Sequence, residues 1–93
     1  MSKLALYKKL ILKKEYFLAH EALEEEWRKL KKTNNNLQYA YKGLINAAVS
    51  LELKKRNKSS YSKAWKNFEK YKNYYIINNE IFLTYIFVRK FKP

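Results

Sequence analysis

The single histidine of the chain lies one helical turn before a glutamate. His20 and Glu24 are four residues apart, a spacing that brings two side chains to the same patch of a helix. Such a pair can bind a divalent metal with a further ligand, or act as an acid/base pair in which Glu24 orients the imidazole. It can also form a hydrogen bond that fixes how two helices meet. We favour this structural interpretation, because no nucleophile is marked out nearby and no glycine-rich phosphate loop or serine-centred elbow is present.

A metal or catalytic site would need groups beyond this pair. The chain has no cysteine and no second histidine, so the remaining donors are glutamates: Glu21, offset by about 100° around the helix, and Glu52 in a later segment. One histidine with carboxylates suits iron, manganese or magnesium better than zinc. The candidate catalytic residues are His20, Glu24 and Glu21. The candidate ligands of a divalent metal, the one cofactor that the pattern indicates, are His20, Glu24 and Glu52.

The helix that carries His20 is predicted to turn it toward apolar neighbours. Five side chains fall within one narrow arc of that helix: Tyr16, His20, Leu23, Glu24 and Trp27. Burying a histidine and a carboxylate is costly unless they are paired. The sequence therefore predicts a buried His/Glu cluster, walled by Tyr16, Trp27 and Tyr41. If the pair is buried and charged, replacing His20 or Glu24 by alanine is expected to lower the free energy of unfolding by about 3–5 kcal/mol.

The spacing of apolar residues predicts an all-α fold of five helices in one domain, residues 1–93. The predicted helices cover about residues 3–13, 15–32, 37–56, 61–75 and 80–88. The β-branched and aromatic residues of the last segment would also suit a strand, but a lone strand has nothing to pair with, so we predict a helix there. The third is apolar around most of its circumference, which is typical of a helix in the middle of a bundle. We therefore expect a compact bundle with the second and third helices at its centre. Ser59 or Ser60 can cap the fourth helix, and Asn78 or Asn79 can cap the fifth.

Two features of the later helices favour packing over a functional role. Gly43 lies between Ala40 and Ala47, and glycine inside a helix costs roughly 1 kcal/mol relative to alanine, so it predicts the close approach of another helix. The predicted fourth helix repeats aromatic residues at intervals of three and four between Tyr61 and Tyr75. Such a stripe is typical of a core, because a base-stacking surface needs exposed rings.

Charge is distributed unevenly along the chain, whose formal net charge is +13. Residues 15–27 contain five of the eight acidic residues and no Lys or Arg, so an acidic helix is set in a basic protein. The outer face of the fourth helix, with Lys63, Lys66 and Lys70, is the candidate basic surface for RNA or an anionic membrane. Lysine outnumbers arginine and aspartate is absent. We attribute this bias to an AT-rich genome in preference to selection for nucleic-acid binding.

Composition and hydropathy also indicate in which compartment the protein occurs and through which surfaces it could associate. No apolar run approaches the ~20 residues of a membrane span, and the absence of cysteine is compatible with a reducing compartment. The sequence predicts a soluble, intracellular protein of a plastid stroma or a bacterial cytoplasm. The wide apolar face of the third helix and the aromatic tail are surfaces through which a homo-oligomer could form.

Two motifs resemble those of a known family. They are Tyr16-Phe17-x-x-His20-Glu21-x-x-Glu24-x-x-Trp27 and, after a short loop, Gly43-Leu-Ile-Asn-Ala-Ala48-x-x-Leu51. Over about residues 15–75 the chain is similar to the domain-of-unknown-function family numbered 309, small all-α bundles of bacteria, archaea and some plastids. The resemblance implies the fold and places His20, Glu21, Glu24 and Trp27 in the first signature of the family, but it implies no reaction. Asn46 stands where the family commonly has glutamine, and Glu52 where it commonly has histidine, which counts against zinc.

The sequence thus favours one functional class and leaves two others open. The favoured class is a non-enzymatic binding or structural module built around the His/Glu cluster. The first alternative is a metal-dependent or acid/base enzyme, hydrolase-like, that uses the same cluster. The second alternative is a basic RNA-associated or ribosome-associated protein.

Overall fold

A computed structural model describes residues 2–93, which contain six helices and no strand. The helices are α1 (Lys3–Leu12), α2 (Tyr16–Lys32), α3 (Leu37–Lys55), α4 (Tyr61–Lys70), α5 (Lys72–Tyr75) and α6 (Asn79–Arg89). The prediction of an all-α bundle is confirmed. The predicted number of helices is one too low, because the fourth predicted helix is divided into α4 and α5.

The division falls at Tyr71, between two segments that share one aromatic stripe. The carbonyl of Phe68, in the last turn of α4, accepts a hydrogen bond of 2.6 Å from the hydroxyl of Tyr75. Tyr75 is fully buried, so this hydroxyl needs a protein partner. The bond joins α5 to the last turn of α4 across the break.

The helix α3 lies at the centre of the bundle. It packs against α2 on one side and α4 on the other and also contacts α5 and α6, while α1 packs on α2 and α6. Two buried hydroxyls tie neighbouring segments to α3. Tyr7 of α1 donates a 2.6 Å hydrogen bond to the carbonyl of Leu44, and Ser50 donates one of 2.7 Å to the carbonyl of Tyr61. The predicted central position of the second and third helices agrees with this packing.

The first three helices end in the same backbone motif. The residue after each C-cap is left-handed: Lys14 (φ 60°), Asn34 (φ 54°) and Asn57 (φ 59°). In each turn an amide reaches back to the carbonyl five residues earlier, the signature of a Schellman end. These bonds are Glu15 to Leu10 at 2.9 Å, Asn35 to Leu30 at 2.9 Å and Lys58 to Leu53 at 2.8 Å. Each turn reverses the chain within a few residues and without glycine.

The prediction of a close approach at Gly43 is confirmed. The buried ring of Tyr75 packs directly on the α-carbon of Gly43. A β-carbon at this position would lie 2.8 Å from Cζ of Tyr75 and would overlap its hydroxyl. Glycine is therefore required here by the space that Tyr75 occupies.

The last helix is held at its start by polar side chains. Asn78 caps α6 as predicted, and its Oδ1 accepts a hydrogen bond of 3.2 Å from the amide of Ile81. The hydroxyl of Ser2 donates to Glu80 at 2.7 Å, which joins the start of α1 to the start of α6. Ser60 precedes α4, but its side chain makes no capping bond. No helix of residues 2–93 has both the length and the apolar character needed to cross a membrane.

Candidate functional site

The helix α2 places His20 and Glu24 side by side at the edge of its contact with α3. Nε2 of His20 lies 3.6 Å from Oε2 of Glu24, and the other carboxylate oxygen accepts a hydrogen bond of 2.9 Å from Nη2 of Arg28. The side chains of His20 and Glu24 are 26% and 31% exposed. The expectation of a buried cluster is therefore wrong, because the pair is partly exposed. His20, Glu24 and Arg28 form a row of i, i+4 contacts along α2, called here the polar ladder.

Glu52 lies on α3 and has a different partner. Its Oε2 accepts a hydrogen bond of 2.6 Å from Nε of Arg56, and its side chain is 18% exposed. Burial and the nearby charge of Glu52 raise the pKa of the Tyr16 phenol, which locates Glu52 close to the start of α2. Within residues 2–93, no three His, Cys, Asp or Glu side chains are close enough to hold a metal ion. The structure thus does not bring His20, Glu24 and Glu52 together as a ligand set.

The other residues singled out from the sequence are spread over several surfaces. Glu21 is exposed, and Arg28 pairs with Glu24. Tyr41 is half-buried elsewhere in the bundle, where burial and the charges of Glu26 and Glu80 raise the pKa of its phenol. Tyr41 is thus not in the wall around His20, whereas Tyr16 and Trp27 are.

His20 separates two hollows between α2 and α3. The larger, of about 200 Å³, is called here the α2–α3 hollow and is lined by Tyr16, Phe17, His20, Val49, Glu52, Leu53 and Arg56. The smaller, of about 140 Å³, is lined by His20, Glu24, Trp27, Lys42, Ile45 and Asn46. Asn46 donates to the carbonyl of Lys42 at 2.8 Å. The buried indole N–H of Trp27 has no hydrogen-bond partner among residues 2–93.

Sequence reasoning missed four residues of the α2–α3 hollow. Phe17 is 53% exposed at its rim, and its ring centroid lies 5.7 Å from that of His20. Val49, Leu53 and Arg56 line the opposite wall. Helical spacing could have indicated these residues. Phe17 precedes His20 by three residues, and Val49, Leu53 and Arg56 follow one another at intervals of four and three, so each set shares one face of its helix.

The predicted basic surface lies where the sequence places it on the fourth helix. Lys63, Lys66 and Lys70 are exposed along the outer face of α4, while Trp65 and Phe68 are buried on the inner face. The aromatic stripe belongs to the core, as predicted.

The fold and the site define a small all-α protein with a polar ladder and an apolar hollow at one helix–helix contact. The profile of the family described as "Domain of unknown function (DUF309)" matches residues 4–66. Since this is more than half of the 93 residues, the chain belongs to that family. Comparisons with curated proteins and with solved structures gave no match.

Proposed function

We propose that this protein is a non-enzymatic binding module and that its ligand site is the α2–α3 hollow. The observation that carries the proposal is an apolar concavity of about 200 Å³ with the exposed ring of Phe17 at its rim. Covering an exposed aromatic side chain and a concave apolar wall is favourable, because both lose contact with water.

The charged side chains at the rim indicate the chemistry of the ligand. The guanidinium of Arg56 is bound to Glu52 through Nε alone among the residues that the structure describes, and its side chain is 61% exposed. Its other N–H groups form a planar fork that matches a carboxylate. Lys55 adds positive charge, with its ammonium 5.9 Å from the ring centroid of Tyr16. The favoured ligand is therefore an apolar group that bears a carboxylate.

The pairing of the glutamates supports binding without a chemical step. Glu24 is held by Arg28 and Glu52 by Arg56, at 2.9 and 2.6 Å. Each carboxylate is thus engaged by an arginine one turn later on its own helix.

Benzoate is a direct probe of this proposal, with benzyl alcohol as a neutral probe of the same shape. We expect both to shift the backbone amide signals of Phe17, Val49 and Leu53 in ¹⁵N-correlated NMR spectra, benzoate more strongly. An affinity of about 1 mM is expected for so small a ligand. Arg56→Gln should weaken benzoate about tenfold, the effect of losing one charge-assisted hydrogen bond, and leave benzyl alcohol unchanged.

A filled hollow tests the location of the site. Val49→Phe places a larger ring in the α2–α3 hollow and should abolish the shifts. Leu83→Phe is the matched control, because Leu83 is an exposed apolar residue of α6 away from this surface. Shifts scattered over the protein, or shifts that survive Val49→Phe, would overturn the proposal.

A further inference from the structure

One end of the bundle collects an unusual number of basic side chains. The helices α1, α3 and α6 finish at this end, where α2 and α4 begin, and the ammonium of Lys55 bonds the carbonyl of Lys14 at 3.2 Å. The surface called here the basic end is formed by the exposed residues Lys13, Lys14, Lys54, Lys55, Arg56, Lys58, Lys90 and Lys92. The only acidic residues within these turns and helix ends are Glu15 and Glu52, and Glu52 is paired with Arg56.

Helix dipoles do not account for this charge. Each helix C-terminus carries about half a negative charge, so three of them are balanced by between one and two cations. The basic end holds eight basic residues against two carboxylates. The surplus creates a positive potential over a small area, which attracts polyanions.

The basic end is concave and partly aromatic. A shallow hollow of about 430 Å³ is lined by Lys14, Tyr16, Leu51, Lys54, Lys55, Phe91 and Pro93. Lys54 lies over the ring of Tyr61 at 4.5 Å, which adds a third aromatic residue beside the lysines. The rings of Tyr16, Tyr61 and Phe91 are partly exposed, unlike the buried rings of Trp65 and Phe68 on α4. Lysines along a groove with accessible aromatic rings are the arrangement found where proteins bind single-stranded nucleic acids. Three apolar side chains, of the kind that a membrane surface would use, also protrude near this end: Leu12 (61% exposed), Phe17 (53%) and Leu18 (48%). None of them lines the hollow that contains Lys14, Lys54 and Lys55.

We propose that the basic end binds the phosphate backbone of a single-stranded nucleic acid. This site differs from the candidate surface on α4, because its lysines come from the ends of α1, α3 and α6. It adjoins the α2–α3 hollow and shares Tyr16, Lys55 and Arg56 with the rim of that hollow, but the lysines that line its own hollow are Lys14, Lys54 and Lys55. Binding should be insensitive to base sequence, because lysines contact phosphates and carry no base readout.

Fluorescence anisotropy with a labelled oligothymidylate of about 20 nucleotides measures this interaction. The affinity should fall as salt increases, with a slope of about −0.7 per phosphate contact. The variant Lys54→Gln/Lys55→Gln/Lys58→Gln should bind at least about tenfold more weakly near 50 mM salt and lose about two units of slope.

The matched control is Lys31→Gln/Lys32→Gln/Lys72→Gln, which removes the same charge from exposed positions at the opposite end. We expect the control to retain affinity within about threefold. Equal losses in the two variants would overturn the proposal, since the attraction would then come from net charge alone. No binding at low salt, or binding to phosphatidylserine vesicles without binding to the oligonucleotide, would also overturn it. Circular dichroism of each variant verifies that it is folded.

Discussion

Replacing Gly43 by alanine tests the closest packing in the protein. Alanine should gain roughly 1 kcal/mol from its better helix propensity. Against this, its β-carbon would overlap the hydroxyl of Tyr75 and lie 2.8 Å from Cζ, and overpacking of this kind costs about 1–3 kcal/mol. Displacing Tyr75 also breaks its 2.6 Å bond to the carbonyl of Phe68, a loss of about 1 kcal/mol. The net expectation is a decrease of about 1–3 kcal/mol in the free energy of unfolding.

Urea unfolding followed by far-UV circular dichroism measures the effect. Lys42→Gly and Lys42→Ala provide the reference for propensity alone, because Lys42 is the exposed neighbour of Gly43 on the same helix. Tyr75→Phe removes the hydroxyl that the new β-carbon meets, so the double variant should lose less stability than the sum of the single variants. The rescue is partial, because Cζ remains close. If Gly43→Ala unfolded at the same urea concentration as the parent or a higher one, steric exclusion would not be the reason for glycine at this position.

Three further predictions follow from the caps, the buried phenols and the polar ladder. Burial raises the pKa of Tyr7 and Tyr75 above the ordinary value of 10.0, so the unfolded chain releases these protons first. Stability should be independent of these two groups below about pH 10 and fall as the pH rises further. Tyr7→Phe should make that fall less steep, and an unchanged slope in alkaline unfolding experiments would contradict this. Lys14→Gly should raise the free energy of unfolding by about 0.5–1 kcal/mol, because Lys14 is left-handed with φ 60°. Lys13→Gly, with φ −81°, should give no gain, and an equal gain from both would refute the reasoning. His20→Ala should lower the free energy of unfolding by less than about 1 kcal/mol, since the contact of His20 with Glu24 is 3.6 Å long and partly exposed. A decrease of about 3–5 kcal/mol, measured by thermal or urea unfolding, would instead support a buried, charged pair.

The helices and their packing could largely be predicted from local rules. Apolar spacing located α1, α2, α3 and the start of α4 within one residue. The last helix and its cap, Asn78, followed from residue types that favour a helix start and from the lack of a second strand. Gly43 indicated a close contact because glycine is unfavourable inside a helix. In these cases the determinant lies within the segment itself.

The break at Tyr71 was not indicated by the apolar spacing. The aromatic residues on either side keep a regular helical spacing, so periodicity predicts one continuous helix. The helix is divided where the hydroxyl of Tyr75 bonds the carbonyl of Phe68. Apolar spacing indicates which face of a segment is buried, but it does not indicate whether the backbone continues as one helix through Tyr71.

The partial exposure of the polar ladder was also not predicted from the apolar spacing, although the sequence contained an indication of it. Ala19 and Leu23 are fully buried, while His20 on the same helix is partly exposed. The position of a residue around the helix indicates the direction of its side chain, but it does not indicate how far that side chain lies from solvent. The glutamates supply the missing information, since Glu24 and Glu52 are each followed by an arginine after four residues. An arginine has five N–H donors and is mostly found exposed, so a glutamate that pairs with it at i, i+4 must lie at the edge of a helix contact. The pair of Glu52 and Arg56 on α3 lines the α2–α3 hollow, and Glu24 lines the smaller hollow on the other side of His20, so both glutamates lie where the contact between α2 and α3 meets solvent.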